Sequence, residues 1–356
     1  MADKRVEKLA SILVRHSVEV KKGDVVLIAS SSELAKPLVL AAYREVMRAG
    51  GNPMTSITFE ETQNIFYDNA SAEQIAHFPK IKLFEAKNID CVINIRASAN
   101  KKALSNVDAK LVAERSKVIR PIGEEIVNKK RWVLCNFPTN GLAQEADMSL
   151  AEYEDFVYGA TNVDWPAVKK KQEKLKAALD AANEVHIIGK DTDLKISIKG
   201  RKAIACWGER NMPDGEVFLS PIEDSAEGHI YYEMPAIYQG REVTGIRLTF
   251  RKGKAVEASA GKNEAFLHAM LDTDKGARFL GELGIGTNYG IKDFSKDILF
   301  DEKIGGTVHL AVGRSYEEAG GKNQSAIHWD MIKDLRKGGG ILLDGKAIQK
   351  NGRFLI

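Results

Sequence analysis

Asp24-Val-Val-Leu-Ile-Ala-Ser-Ser-Ser32 decides the architecture of the first half of this chain. Its short apolar run is of the buried-strand type, and the serines after it mark a turn. Beyond them Leu38, Val39, Ala42, Val46 and Met47 fall on one side of a helix that Gly50-Gly51 stops. Working outward, Val6, Leu9, Ala10, Leu13 and Val14 share one face of a helix over 4–16. Residues 53–60 read as the next strand. Ser71 with Gln74 is a capping box that opens a helix. Strands follow at 89–95 and 132–135, with a helix over 107–115 between them. Ser149 with Glu152 caps a further helix to about Tyr158. Strands separated by helical segments imply parallel βαβ units with right-handed crossovers.

The pattern changes at Asp164-Trp165-Pro166, where Asp164 can cap a helix that runs to Ala181. Short strands then dominate, at 184–189, 193–199, 203–207, 215–220, 242–250 and 254–260, with one helix at 263–271. Arg251–Lys254 and Asp344-Gly345 read as hairpin turns. The expected organisation is an α/β domain with a parallel sheet over residues 1–163, then an α+β domain over 164–356. With 356 residues, each is long enough to bury a core of its own.

Composition removes several function classes. Hydrophobic residues make up 44% and charged residues 28%, the mean hydropathy is −0.26, and no apolar run approaches the roughly 20 residues of a membrane helix. A net charge of +3 is too small to argue for nucleic acid. Met1-Ala-Asp-Lys-Arg5 has charges but no apolar stretch behind them, so it does not read as a secretory signal. The three cysteines, Cys91, Cys135 and Cys206, are widely spaced. They form neither a disulfide framework nor a thiolate zinc motif, and a reducing cytoplasm is the expected location. The serine-rich turn after Ala29 has no G-x-G-x-x-G and no Walker lysine, so it reads as a helix cap rather than a nucleotide site. The glycine-rich Gly281–Gly290 stretch is a poor dinucleotide match as well. No G-x-S-x-G elbow is present.

What remains is a set of metal-type donors in the second half. In Ala326-Ile-His-Trp-Asp-Met-Ile332, His328 and Asp330 are two residues apart. On a strand that spacing puts both on one face, with Ile327, Trp329 and Met331 on the other; on a helix they would diverge by about 200°. In Thr307-Val-His-Leu-Ala311, His309 likewise faces away from Val308 and Leu310, and Glu216 opens the apolar run 216–220. Two imidazoles with several carboxylates suit Zn²⁺, Co²⁺ or Mn²⁺, and the carboxylate excess favours a pair of ions. Taken singly, Glu282 passes as a surface glutamate and Tyr316 as a rim tyrosine. His16, His77, His186, His229 and His268 read as structural. Glu223, Asp224 and Glu227 read as a solvated acidic loop.

Five segments in order carry a resemblance: 211–221 (Asn-Met-Pro-Asp-Gly-Glu-Val-Phe-Leu-Ser-Pro), Gly281-Glu282, Leu299-Phe-Asp-Glu302, 309–316 (His-Leu-Ala-Val-Gly-Arg-Ser-Tyr) and Ser325-Ala-Ile-His-Trp-Asp330. Together they resemble the thermophilic-type metallo-aminopeptidases known as aminopeptidase T and aminopeptidase S. The likeness covers nearly the whole chain, since that family also places an α/β domain before its metal domain. Two departures stand out. The step from Glu302 to His309 is longer than in the family, with Gly305-Gly306 inserted, and Leu219-Ser220 replaces a Thr-Ala pair.

The resemblance implies two divalent metal ions (Zn, Co or Mn), with Glu216, Glu282, Glu302, His309, His328 and Asp330 on ligand positions and Tyr316 on the active-site tyrosine. It implies N-terminal cleavage of short peptides by a metal-bridged hydroxide. Glu282 is the candidate proton carrier, and Tyr316 would donate to the oxyanion. It implies a homodimer, with the first domain supporting access or the dimer; the expectation of neither nucleic acid nor membrane as partner rests on the charge and hydropathy above. Two other readings stay open on the residues alone: a metal-dependent amidase or esterase acting on non-peptide substrates, and a non-catalytic α/β binding module.

Overall fold

The computed structural model describes residues 3–356. The chain divides into two compact units. One holds the residues up to Asn162 together with Gly208–Pro213; the other holds Val163–Trp207 and Asp214–Ile356.

The first unit is built on a parallel sheet whose strands lie in the order Asn52–Ile57, Val25–Ser30, Cys91–Arg96, Arg131–Asn136 and Asn211–Met212. Val26, Ile28, Ile93, Ile95 and Val133 are buried in it. Helix Lys36–Ala49 makes the crossover from Val25–Ser30 to Asn52–Ile57 and ends at Gly50 with φ 83°. Glycine has no Cβ to oppose that left-handed conformation. The serine-rich turn is a cap: Ser32 Oγ accepts the amide of Leu34 at the start of a short helical turn. The helix expected over 107–115 extends over Ala109–Lys129 with Pro121 inside it. None of its residues is fully buried, and Pro121 with Gly123 reads in the sequence as a helix end, although Val118, Ile119, Ile122 and Ile126 keep the helical spacing and the helix continues.

The second unit contains an eight-stranded antiparallel sheet and a five-stranded one. The five-stranded sheet runs in the order His328–Asp334, Thr307–Gly313, Leu280–Gly286, Glu216–Leu219 and Ile204–Cys206. Alternate residues of this sheet enter one core: Val217, Leu219, Leu283, Ile285, Val308, Leu310, Val312, Trp329 and Met331. They join Val185, Ile187, Leu194, Ile196, Leu248 and Phe250 of the larger sheet. Side chains alternate along a strand, so the residues between them are turned to the opposite face.

Both expected hairpins form. Lys252 and Gly253 at φ 48° and 76°, and Asp344 and Gly345 at φ 47° and 82°, supply the two positive-φ positions that match the twist of a two-residue hairpin. The run expected as one strand over 242–250 is broken at Gly245, φ 65°, into Arg241–Val243 and Ile246–Arg251. Leu280–Gly286 is a completely buried strand that the sequence does not announce, because three of its seven residues are glycines of low β-propensity. Among the described residues no helix is long and apolar enough to cross a membrane.

Candidate metal centre

Four strands of the five-stranded sheet deliver the donors. Glu216 opens one strand, Glu282 lies in the next, His309 in the third, and His328 and Asp330 in the fourth. The register brings them together. Ala311 pairs with Glu282 on one side and with Asp330 on the other, and His309 pairs with Gly284. Trp329 and Met331 are buried in the core, so His328 and Asp330 share the opposite face, as their spacing predicts.

Glu282 is the shared member. Its Oε1 is 3.2 Å from His309 Nε2 and its Oε2 is 3.4 Å from His328 Nε2. Glu216 Oε2 is also 3.2 Å from His309 Nε2, and Asp330 Oδ2 is 3.6 Å from His328 Nε2. Each imidazole is oriented from behind. His309 Nδ1 is 2.9 Å from the Glu302 carbonyl oxygen, and His328 Nδ1 is 2.7 Å from that of Arg314. A carbonyl only accepts, so each Nδ1 carries the hydrogen and each Nε2 is the atom turned to the carboxylates.

Two sets of donors that share Glu282 therefore form, Glu216–Glu282–His309 and Glu282–His328–Asp330. In each, one ligand atom per residue lies within 4.8 Å of the others. The residues suit a divalent cation on a further observation: Glu216 Oε2 is buried and has no hydrogen-bond partner. Burying several carboxylates together is costly unless a cation shares the space. The protonation of the site reflects that demand. Burial opposes charge on both imidazoles, yet Glu282 and the neighbouring carboxylates raise His309 to about 10 and His328 to about 9. Burial pushes Glu216 and Asp330 upward. Burial acts the same way on Glu282, but its hydrogen bonds with the two histidines outweigh it and hold the group below the usual carboxylate range.

Glu302 stands outside both donor sets. Its carboxylate is paired with the ammonium of Lys303, and its carbonyl orients His309. Tyr316 stacks at an angle beside His328, ring centroids 5.0 Å apart, and meets Phe218 edge-on at 5.8 Å. Burial raises its phenol, and the site carboxylates add to this, so the hydroxyl keeps its proton for donation. The acidic loop is structural in part: Glu223 takes the guanidinium of Arg201 and the amide of Lys322, and Glu227 accepts the amide of Lys252. Among the described residues, no histidine other than His309 and His328 belongs to a donor set. Sequence reasoning did not find Lys303, Asp214 or Gly284. Lys303 is fully buried beside Glu216 and Glu302, and Asp214 forms a third group with Cys206 and Glu216. Asp214 had a signal, its place inside the segment 211–221; Lys303 had only its adjacency to Glu302.

Imidazoles and carboxylates converging on one sheet face make a candidate metal centre, in a chain that also carries an α/β unit. Residues 2–354 match the thermophilic metalloprotease (M29) family, and the chain belongs to it. The chain is 26% identical to aminopeptidase AmpS of Bacillus subtilis over 98% of each sequence, and 26% identical to aminopeptidase T of Thermus thermophilus over 99% of each. Of solved structures, wild-type AmpT from Thermus thermophilus superposes with a TM-score of 0.84 at 25% identity, covering 99% of both chains. A 2,5-dihydroxypyridine dioxygenase from Pseudomonas putida KT2440 shares the fold at a TM-score of 0.61 and 16% identity, over 98% of this chain and 96% of that one.

Proposed function

We propose that this protein is a metal-dependent aminopeptidase that removes N-terminal residues from short peptides, with two divalent ions, Zn²⁺, Co²⁺ or Mn²⁺, held by Glu216, Glu282, His309, His328 and Asp330. The observation that carries the reading is Glu282, whose two oxygens face the two histidines of two separate donor sets. Membership of a metalloprotease family and relatives named as aminopeptidases support it. Bound divalent ions supply Lewis acidity that polarises a peptide carbonyl and acidifies water.

The chain's own residues do the rest. The Glu302 and Arg314 carbonyls keep His309 and His328 in the tautomer that presents Nε2. Glu282 touches both sets, and its carboxylate is our assignment for the group that accepts the attacking water's proton and returns it to the leaving amine. The Tyr316 hydroxyl, protonated and beside His328, donates to the oxygen on which charge develops. All of these residues lie in the second unit, the catalytic part of the protein in this reading. A homodimer, as the family resemblance implies, in the reducing cytoplasm that the cysteine usage suggests completes this reading.

A substrate panel tests the proposal. Peptides with free N-termini should be cleaved one residue at a time and the same peptides with blocked N-termini left intact. Equal cleavage of the two would replace it with a broader amidase activity.

A further inference from the structure

Lys303 is the one lysine in the centre, and it has no accessible surface. Its backbone is fixed on both sides. Its amide donates to the Phe300 carbonyl at 3.0 Å, and its own carbonyl accepts the Asn288 amide at 3.0 Å. The side chain is thereby aimed inward, where Nζ bonds the Glu302 carboxylate and lies 3.6 Å from Glu216 Oε1.

Resting on the functional reading above, we propose that Lys303 is a resident cation that makes the two donor sets unequal: Glu282–His328–Asp330 takes the first divalent ion tightly, and Glu216–Glu282–His309 takes a second one only weakly. Lys303 sits on Glu216, which belongs to the second of these two sets and not to the first. It engages one of that carboxylate's two oxygens and offsets part of the charge that would attract an ion. It also turns Glu302 toward itself, so the other glutamate on that side adds no donor to either set. Like charges a few ångströms apart repel strongly where water is excluded, and the Lys303 ammonium has no accessible surface. The ion pairs of Glu282 and Asp330, in contrast to those of Glu216, are with His309 and His328 alone. An imidazole becomes a metal donor itself; an ammonium offers no lone pair.

The test reads metal uptake directly. Metal-free protein is titrated with Co²⁺ by calorimetry and equilibrium dialysis, with the cobalt absorption spectrum recorded at each step. The wild-type chain should bind one ion tightly and a second at least about tenfold more weakly. Anomalous scattering from crystals grown with one equivalent of Co²⁺ should place that ion among Glu282, His328 and Asp330. In Lys303→Met the gap should shrink to about threefold or less, and Lys303→Arg, which keeps the charge, should preserve it. Two ions of equal affinity in the wild type overturn the inference while leaving the aminopeptidase reading intact. So does first occupancy at Glu216, or an unchanged gap in a Lys303→Met protein with native circular dichroism. A wild-type chain that binds no divalent ion overturns both. If Lys303→Met does not fold, the wild-type stoichiometry and the ion's position decide.

Discussion

Gly284 lies directly across from His309 in the antiparallel pair that joins their strands, and a Cβ on Gly284 would stand 2.1 Å from the imidazole's Cε1 and Nε2. The space that holds the donor end of His309 is therefore the space a side chain at 284 would fill. Gly284 is a glycine for the sake of its neighbour, and its own backbone is not in the left-handed region.

Gly284→Ala should accordingly displace His309. Peptidase activity should fall by about a hundredfold or more, the usual cost of moving a catalytic group by an ångström. Metal analysis should show loss of binding at the Glu216–Glu282–His309 set. An alanine variant with wild-type turnover and metal content would show that the ring can sit elsewhere.

His328 and Asp330 share one strand face, and both belong to a single donor set. His328→Ala and Asp330→Ala should each abolish hydrolysis of amino-acid p-nitroanilides while far-ultraviolet circular dichroism stays native. Near-normal turnover in either variant, with metal content checked, removes these residues from the site.

Tyr316→Phe separates the hydroxyl from the ring. The ring packs against His328 and Phe218, so a phenylalanine keeps those contacts. Loss of an oxyanion donor typically costs about 10²–10³ in kcat. That loss is expected here, with little change in KM or in metal content; a kcat within about threefold of wild type would exclude the role.

Metal removal should cost stability as well as activity. Dialysis against a chelator should inactivate the enzyme, and Co²⁺, Zn²⁺ or Mn²⁺ should restore it. An ion present at about a thousand times its Kd stabilises the native state by about 4 kcal/mol. Thermal unfolding should therefore begin at a clearly lower temperature without metal, and identical unfolding curves would contradict binding to this buried cluster.

Asp24 provides a pH dependence in the first unit, separate from the groups of the candidate metal site. Burial raises its pKa, but the Lys21 amide at 2.6 Å, the Arg131 guanidinium at 2.7 Å and the Cys91 thiol together hold it below the usual range. A carboxylate with a lowered native pKa adds stability that is fully present above its unfolded value of about 4 and is lost as pH falls through the lowered native value. Asp24→Asn should cost about 1–3 kcal/mol at neutral pH. The difference from wild type should shrink below about pH 4 in urea titrations. A difference that stays constant down to pH 2 would rule out this linkage.

The readable part of the fold was the part carried by local pattern. The run Val25–Ala29 pairs in parallel with both of its neighbours, as a buried strand between crossovers must. Both hairpin turns announce themselves because only a few residues tolerate two positive φ angles in succession. The second half of helix Ala109–Lys129 is hidden by Pro121 and Gly123, which read as a helix end, and strand Leu280–Gly286 is hidden because its glycines serve contacts rather than strand formation. A Cβ on Gly281, Gly284 or Gly286 would fall within 2.5 Å of Arg314, His309 or Ile304. Those partners are distant in sequence and adjacent only in the folded sheet.

The site divides in the same way. The period of a β-strand by itself placed His328 and Asp330 on one face and set His309 opposite Val308 and Leu310, since side-chain direction is a property of neighbouring residues. Which donors meet was a matter of sheet register. Ala311 stands between Glu282 and Asp330, and Glu282 touches both histidines, because four strands pair in one particular alignment. Lys303 shows the limit most clearly. Its sequence neighbours suggest a lysine in solvent, and only the packing of the chain around residues 286–305 buries its ammonium between Glu216 and Glu302. Spacing along a strand fixes a direction, whereas burial and charge pairing depend on segments that meet only when the whole domain has folded.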